Sequence, residues 1–275
     1  MQFCGTELAK RVERAECGLL VDCAEAVAHR VAAFTRPIAG GLAVFAGPDS
    51  PISKVAGLGF DGLPEPSEFE AIEREFAARG AAVQVEISVL ATAGIGEWFT
   101  SRGYALVGFE NVLGRRLDPR ESWIAREGID VSRATDAELE AWLDVVVSGF
   151  SAPDVQGVAS HEQFPRGALE RVMRDMSRAR GFVRYVARRQ DAVAGGASMH
   201  IADGIAQLCG AATLPQHRRR GIQGALLQRR LADAAREGCD LAVITTLPGS
   251  KSQENAQKQG FDLLYTRAIL RRAAP

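Results

Sequence analysis

The sequence predicts an α/β protein built from a duplicated α/β unit. One observation is a repeat: "AARGAAVQVEISVLA" (77–91) aligns with "AAREGCDLAVITTLPG" (234–249), and each leaves a helix through a glycine and enters a short β-rich run. A second is spacing, since Gly80 and Gly103 lie 23 positions apart and Gly238 and Gly260 lie 22 apart. A third is that each later glycine precedes an aromatic residue and an apolar strand. Chance similarity between apolar segments is the alternative.

The second half can be followed element by element. The segment 131–150 reads as a strand, an N-cap at Thr135 or Asp136 and an amphipathic helix. A second helix is predicted over 168–179, and a strand meander over 182–214 has turns near Gln190-Asp191 and Asp203-Gly204. There follow a helix over about 222–236, a strand over 241–246, a short helix near 253–258 and a final strand over 263–271.

Composition excludes several classes of protein. Of the 275 residues, 47% are hydrophobic, but no apolar run approaches the roughly 20 residues that a membrane span needs. The N-terminal segment carries charges where a signal peptide would need its apolar stretch, which predicts a cytoplasmic protein that does not bind membranes. The five cysteines are expected to be free thiols, because they lack metal spacing and CxxC pairs; a redox pair of Cys17 and Cys23 is the alternative.

Charge is divided between the halves. Residues 1–118 contain 11 Lys+Arg and 16 Asp+Glu, a net of -5, and residues 119–275 hold the other 22 and 18, a net of +4. This division predicts that a small anionic ligand binds to the second half. It falls short of the broad basic face of a nucleic-acid-binding protein, so no nucleic-acid partner is expected.

The segment "PQHRRRGIQGALL" (215–227) is the strongest candidate site. Three arginines precede Gly221, where the predicted helix begins. The first N–H groups of a helix have no partners within it, and the helix dipole adds partial positive charge there. Glycine lets a ligand approach the backbone, and arginines donate charge-assisted hydrogen bonds. The pattern indicates a phosphate or pyrophosphate site; a solvated basic loop that precedes an ordinary helix is the alternative.

The predicted helix also has two faces. Its apolar face is expected to be buried: Ile222, Leu226, Leu227, Leu231 and Ala235. The charged residues of the helix lie largely on the opposite face: Arg229, Arg230, Asp233 and Arg236.

The order strand, Arg-x-x-Gly, helix resembles the GNAT acyltransferase superfamily, whose acetyl-CoA loop is Arg/Gln-x-x-Gly-x-Gly/Ala. Arg218 and Gly221 fit this pattern, and Gln223 departs from it, with Gly224 one place later. The resemblance runs from about residue 131 to residue 270. It implies an α+β mixed sheet, mostly antiparallel and flanked by helices, in each of two tandem GNAT-like domains, 1–118 and 119–275.

The resemblance also implies residues that bind acetyl-CoA. The strand backbone at Ala211, Ala212, Thr213 and Leu214 would pair with the pantetheine arm. The pyrophosphate would lie against Arg218, Arg219, Arg220, Gly221, Ile222, Gln223 and Gly224. Asn255 stands where the family often contacts pantetheine; a surface or capping amide is the alternative.

The first half has no such loop. The stretch before its helix, "GLGFDGLPEPSEFEAIEREF" (57–76), places Asp61, Glu65 and Glu68 where cations would be needed. Carboxylates would repel a pyrophosphate. We therefore expect residues 1–118 to be a degenerate GNAT-like domain that does not hold CoA and that supports the fold, lines the acceptor cleft, or both.

The catalytic groups are less well defined. The tyrosine that often serves as acid in the superfamily is replaced by Ala256. Tyr265 is a weak substitute, with a cross-strand aromatic as the alternative. His200 and Cys209 lie on strands by the presumed cleft, and His161 and Glu162 lie in a loop; structural or solvent-facing roles are their alternatives. No metal-ligand spacing stands out.

These observations predict an acetyl-CoA-dependent N-acetyltransferase. Its acceptor would be a small-molecule amine or an amino-acid-like compound, and the chain would act as a monomer or homodimer. The alternatives are a non-catalytic CoA-binding or regulatory protein, which Ala256 makes plausible, and nucleic-acid binding through the arginine run.

Overall fold

The computed structural model describes residues 3–48, 50–151 and 165–273. These form two compact units by contact. The first comprises the described residues up to Leu113 and those from Thr246 onward. The second comprises the described residues between Gly114 and Thr245.

The first unit is a sheet flanked by helices. Its elements in chain order are α1 (Thr6–Val27), β1 (Phe34–Ile38), β2 (Gly41–Phe45), β3 (Lys54–Ala56), α2 (Pro66–Ala77), β4 (Val83–Ser88), α3 (Ile95–Ser101), most of β5 (Ala105–Arg116), α7 (Lys251–Lys258) and β11 (Asp262–Arg272). The strand order is β1-β2-β3-β4-β11-β5. β3 and β4 are parallel, whereas the pairs β1–β2, β2–β3 and β4–β11 are antiparallel.

The core of the first unit is aromatic. Phe69, Phe99 and Tyr104 are buried and meet edge to face, with Phe69 and Phe99 ring centroids 5.1 Å apart. Phe69 comes from α2 and Phe99 from α3, so the helices on one face of the sheet are joined through this cluster.

The second unit repeats the order of three strands, a helix and a strand that β1 to β4 form in the first unit. Its elements are β6 (Asp130–Arg133), α4 (Leu139–Ser151), α5 (Arg166–Met176), β7 (Phe182–Arg189), β8 (Ala192–Ala202), β9 (Ile205–Thr213), α6 (Ile222–Arg236) and β10 (Leu241–Thr246). The strand order is β10-β9-β8-β7-β6. Only β9 and β10 form a parallel pair among these described strands.

Local sequence accounts for the turns of the second unit. Thr135, one of the two predicted N-cap residues, forms a capping box with Glu138 ahead of α4. The two hairpins of the meander turn at Gln190-Asp191 and Asp203-Gly204, and all four residues have φ between 51° and 70°. These are the left-handed conformations that tight two-residue hairpins require.

The C-terminal strand lies in a different unit from the one predicted. Residues 119–275 were expected to form one domain, but Arg267–Arg272 of β11 pair with Val83–Ser88 of β4. Conversely, the chain from Gly114 belongs to the second unit, where the N–H of Leu117 donates to the carbonyl of Asp240 at 2.9 Å. The last strand of the second repeat, β11, thus belongs to the first unit. The end of β5, the last strand of the first repeat, belongs to the second unit. The division into a degenerate domain and a CoA-binding domain remains a prediction.

Candidate functional site

The loop that leads into α6 has a backbone suited to binding an anion. After β9, a 3-10 turn spans Pro215–His217, Arg219 has φ of 60° and Gly221 has φ of 82°. A left-handed conformation costs a non-glycine residue roughly 1–2 kcal/mol, and such strain is found at functional sites. No side chain caps α6 at Gly221, so the first N–H groups of the helix keep their capacity to bind a ligand.

The three loop arginines differ in position. Nε of Arg218 donates to the carbonyl of Thr213 at 3.4 Å, and its side chain is half-buried against the end of β9. Arg219 and Arg220 are exposed. Arg218 is therefore tied to the strand, while its two neighbours face solvent beside the start of α6.

A fourth arginine, which the sequence analysis missed, lies at the same place. A Cβ atom built on Gly221 would lie 3.0 Å from Nη1 of Arg126, and one built on Gly224 would lie 3.5 Å from its Nη2. A turn fixes this arginine, because the N–H of Ile129 donates to the Arg126 carbonyl at 3.0 Å and Gly128 has φ of 70°. Its guanidinium forms no ion pair within the described part of the chain.

Arg126 lies where a second positive charge is electrostatically unfavourable, at the start of a helix. A cation near the positive end of a helix dipole is unfavourable unless an anion lies between or beside them. The only signal in the sequence is the short segment Arg126-Glu127-Gly128, which predicts a turn but not its contact with a helix almost 100 residues later.

The strands next to the loop separate. In the described residues, β9 and β10 pair only at Ile205–Leu241, Ala206–Ala242 and Gln207–Val243. Beyond this point β9 is irregular: its pairing with β8 shifts register between Gly196 and Ser198, and Gly210 has φ of 55°. The bulge turns the backbone out of the regular ladder. In the described residues the ends of β9 and β10 beyond Gln207 and Val243 are therefore not paired with each other, and we call this stretch the slot.

The structure brings the predicted strand residues to this slot. Ala211, Ala212, Thr213 and Leu214 are all half-buried, and they follow the bulge directly. The Oγ1 atom of Thr213 is buried and has no hydrogen-bond partner among the described atoms. Residues 211–214 lead directly along the chain into the arginine loop and the first turn of α6, whereas Asn255 lies on α7 in the first unit.

Glycines hold the helices close to β8. A Cβ on Gly195 would lie 2.7 Å from Cγ2 of Ile222, the first residue of α6. On the next residue, Gly196, it would lie 2.8 Å from Cγ2 of Val146, on α4. Because neighbouring strand residues point to opposite faces, two adjacent glycines of β8 let one helix approach on each side.

The predicted polar face of α6 is wrong for two residues. The apolar face is buried as expected, but Arg230 is 2% exposed and Asp233 is 1% exposed. Asp233 accepts hydrogen bonds from Nε of Arg133 and Nε of Arg229, both at 3.1 Å, and from the hydroxyl of Tyr185 at 3.1 Å. Arg236 also bonds to it. Pairing compensates for burial of the carboxylate, and helical periodicity alone does not show this.

Arg230 is buried without a carboxylate partner in the described residues. Its Nη1 donates to the carbonyl of Ser198 at 2.9 Å, and its Nε donates to that of Leu226 at 3.2 Å. Burial lowers the pKa of Arg230 to about 10. The guanidinium therefore links α6 to the backbone of β8 beneath the slot.

The strand candidates differ in accessibility. His200 is fully buried, which favours a structural role. Cys209 is half-buried, and Ser198 donates to its carbonyl at 2.8 Å. All five cysteines are free thiols, as expected. His161 and Glu162 lie outside the described residues.

Two further candidates belong to the first unit. Asn255 is half-buried on α7, and Ala256 beside it is buried. Tyr265 is 4% exposed, and its hydroxyl donates to Oε1 of Glu13 at 2.8 Å. Burial raises the pKa of Tyr265 well above its ordinary value. Its surroundings favour the structural alternative, and Tyr265 has no part in the function proposed below.

The described residues show neither a metal site nor a membrane span. They contain no group of three or more His, Cys, Asp or Glu side chains arranged to hold a metal ion. They also contain no helix with the length and apolar character needed to cross a membrane.

The chain resembles known proteins in sequence and in fold. Residues 150–261 match the model of the acetyltransferase (GNAT) family. A GCN5-related N-acetyltransferase from Kribbella flavida is 19% identical, with a TM-score of 0.70, and the match covers 98% of this chain and 96% of that chain. No curated protein matches the chain.

Two other solved structures share the fold over most of the chain. A tandem GNAT protein from the clavulanic acid biosynthesis pathway is 13% identical, with a TM-score of 0.59 and coverage of 86% of this chain and 79% of that chain. A GCN5-related N-acetyltransferase from Sphaerobacter thermophilus is 17% identical, with a TM-score of 0.54 and coverage of 75% and 66%.

Proposed function

Because this chain contains a domain of the acetyltransferase (GNAT) family and shares the fold of a tandem member, we propose that it is an acetyl-CoA-dependent N-acetyltransferase. The acceptor would be an amine of a small or amino-acid-like molecule. One observation carries the proposal: α6 begins at an uncapped glycine, with the guanidinium of Arg126 held against its first turn. Helix amides and arginine donors together suit a pyrophosphate.

The residues that would hold CoA fit the group. Gly221 and Gly224 place no side chain at two positions of the first turn, and the guanidinium of Arg126 lies beside both. The separated ends of β9 and β10 expose strand backbone, to which the amide groups of pantetheine can bond. When bound, acetyl-CoA supplies an activated acyl group, and the roles assigned to this chain are to bind and orient it.

The proton transfers are not assigned to a side chain. An alkyl amine has a pKa near 10.4, so the acceptor must lose a proton before it attacks the thioester. The position of the usual acid is occupied by Ala256, which is 2% exposed. This observation favours a second candidate function, a non-catalytic CoA-binding or regulatory protein.

An assay of acetyl transfer distinguishes the enzyme from the non-catalytic CoA-binding protein. Purified protein would be incubated with acetyl-CoA and a panel of amines and amino acids, and release of the CoA thiol would be followed with a thiol reagent. Acceptor-dependent thiol release supports the enzyme. Binding of CoA without release on any acceptor favours the regulatory protein, and absence of CoA binding contradicts both.

Arg126 provides a further prediction about the same site. Arg126→Ala is expected to weaken CoA binding by about 1 kcal/mol, roughly fivefold, because one exposed cation near the phosphates is lost. The dependence of Kd on salt should also become shallower. Calorimetric titration with CoA at two salt concentrations measures both effects.

Arg120→Ala is the matched control. Arg120 is exposed and paired with Asp118. The control should leave the affinity unchanged. Equal loss of affinity in both variants would mean that Arg126 acts only through net charge.

A further inference from the structure

Thr213, the last residue of β9, carries a hydroxyl without a partner in the described part of the chain. The residue as a whole is half-buried, but its Oγ1 atom is buried and forms no hydrogen bond among the described atoms. Nδ1 of His217, four residues later in the same loop, is also buried and unpaired there. A buried polar atom loses its bonds to water, so its burial is unfavourable unless another group replaces them. The partner of the Thr213 hydroxyl is therefore expected outside the chain.

The Thr213 side chain lies on the face of the sheet that α6 covers. In the ladder between β8 and β9, Thr213 stands opposite Gly195. A Cβ on Gly195 would lie 2.7 Å from Cγ2 of Ile222, the first residue of α6. Because residues opposite each other on neighbouring strands share a face, the Thr213 side chain points to the same side as the start of α6.

The preceding residue gives the same direction independently. A Cβ on Gly149 of α4 would lie 2.5 Å from Cβ of Ala212, so Ala212 points towards α4. Successive residues of a strand point to opposite faces. Thr213 therefore points away from α4, which again places its hydroxyl on the side of α6.

The loop after β9 turns back towards Thr213. The N–H of His217 donates to the carbonyl of Leu214 at 2.9 Å, and the N–H of Arg218 donates to that of Pro215 at 3.2 Å. After this turn, Nε of Arg218 donates to the carbonyl of Thr213 at 3.4 Å. The guanidinium of Arg218 thus adjoins the residue that carries the hydroxyl.

The groups on this side of β9 are mostly donors. A guanidinium presents only donors, and the first N–H groups of α6 have no side-chain cap. A phosphate oxygen accepts hydrogen bonds and carries the opposite charge, so it suits a hydroxyl, a guanidinium and helix amides together. A hydroxyl that donates to an ionised oxygen forms a short bond, roughly twice as strong as a neutral one. The ligand class that matches the Thr213 hydroxyl is therefore a phosphate or diphosphate.

We propose that the Thr213 hydroxyl donates to a phosphate oxygen of CoA, which makes Thr213 a specificity-determining residue for the diphosphate. The proposal rests on the function proposed above. It gives the side chain a role separate from that of the backbone, which the family resemblance pairs with the pantetheine arm. Unlike the loop arginines, the hydroxyl is neutral, so its contribution to affinity should not depend on salt.

Thr213→Val tests the proposal, because valine has nearly the same shape and lacks the hydroxyl. The Kd of CoA, measured by calorimetry, should rise about tenfold, with the salt dependence of the wild type. The Kd of ADP, which carries a diphosphate and no pantetheine arm, should rise by the same factor. The Kd of pantetheine, measured by NMR titration, should stay unchanged. Thr213→Ser keeps the hydroxyl and should recover most of the affinity for CoA.

Stability separates binding of a ligand from a structural role. The hydroxyl bonds to no described atom of the chain, so Thr213→Val should not lower the urea midpoint of the protein without ligand. A hydroxyl that only supports the fold would lower that midpoint on removal and weaken all three ligands alike. Either of these results would overturn the proposal.

Thr35→Val is the matched control, since Thr35 is an exposed strand residue on β1 of the first unit. It should keep the wild-type Kd of each ligand. If the wild type binds CoA and Thr213→Val binds CoA and ADP equally well, the role of Thr213 is wrong and the proposed function stands. If the wild type itself does not bind CoA, the proposed function fails and this inference fails with it.

Discussion

Arg218→Glu combined with Gly221→Glu is expected to lower CoA affinity by about 3 kcal/mol or more, roughly 100-fold, while both units remain folded. The double variant removes a charge-assisted donor and places two carboxylates where the phosphates would bind. The new side chain at residue 221 would also meet Nη1 of Arg126, which lies 3.0 Å from its Cβ position. That arginine would then pair with glutamate and not with a ligand.

Calorimetric titration with CoA measures the loss. Arg120→Glu combined with Gly96→Glu makes the same change in net charge elsewhere; a Cβ on Gly96 meets nothing within 4 Å. This control should bind CoA as the wild type does. If the Arg218 and Gly221 variant keeps its affinity for CoA and its circular dichroism spectrum, the anion does not bind at the start of α6.

Asp233→Leu is expected to lower the free energy of unfolding of the second unit by about 3–5 kcal/mol. The carboxylate is 1% exposed and accepts from Arg133, Arg229, Arg236 and Tyr185. Its removal leaves guanidinium groups and a phenol without their common acceptor. Urea unfolding, followed by the fluorescence of Trp142 in the core of this unit, measures the change.

Glu237→Leu tests whether burial is the cause. Glu237 binds the same Arg133 at 2.8 Å but is 48% exposed, so its loss should cost less than about 1 kcal/mol. Equal destabilisation by both substitutions would contradict the assignment of Asp233 as the buried anchor of α6.

Local signals predicted much of the fold and the loop. Repeated glycines, hairpin turns with left-handed residues and the break at Gly221 depend on neighbouring residues, and each is visible in the sequence. The apolar face of α6 was likewise predicted by periodicity. The burial of Asp233 was not, because its partners Arg133 and Tyr185 lie on separate strands far away in the chain.

The remaining differences have the same physical origin. Pairing of β11 with β4 depends on register between strands almost 200 residues apart, and no local pattern encodes it. The contact of Arg126 with the first turn of α6 depends on where a short turn docks.

The measurement that tests the central claim most directly is an NMR titration of the ¹⁵N-labelled protein with CoA. If a diphosphate binds at the start of α6, the amide resonances of residues 221–224 should shift with the largest amplitudes and saturate together with those of 211–213. Pantetheine, which lacks the diphosphate, should shift the resonances of residues 211–213 and leave those of residues 221–224 unchanged. Saturable shifts confined to other residues, or no shifts of the α6 amides at saturating CoA, would contradict the account.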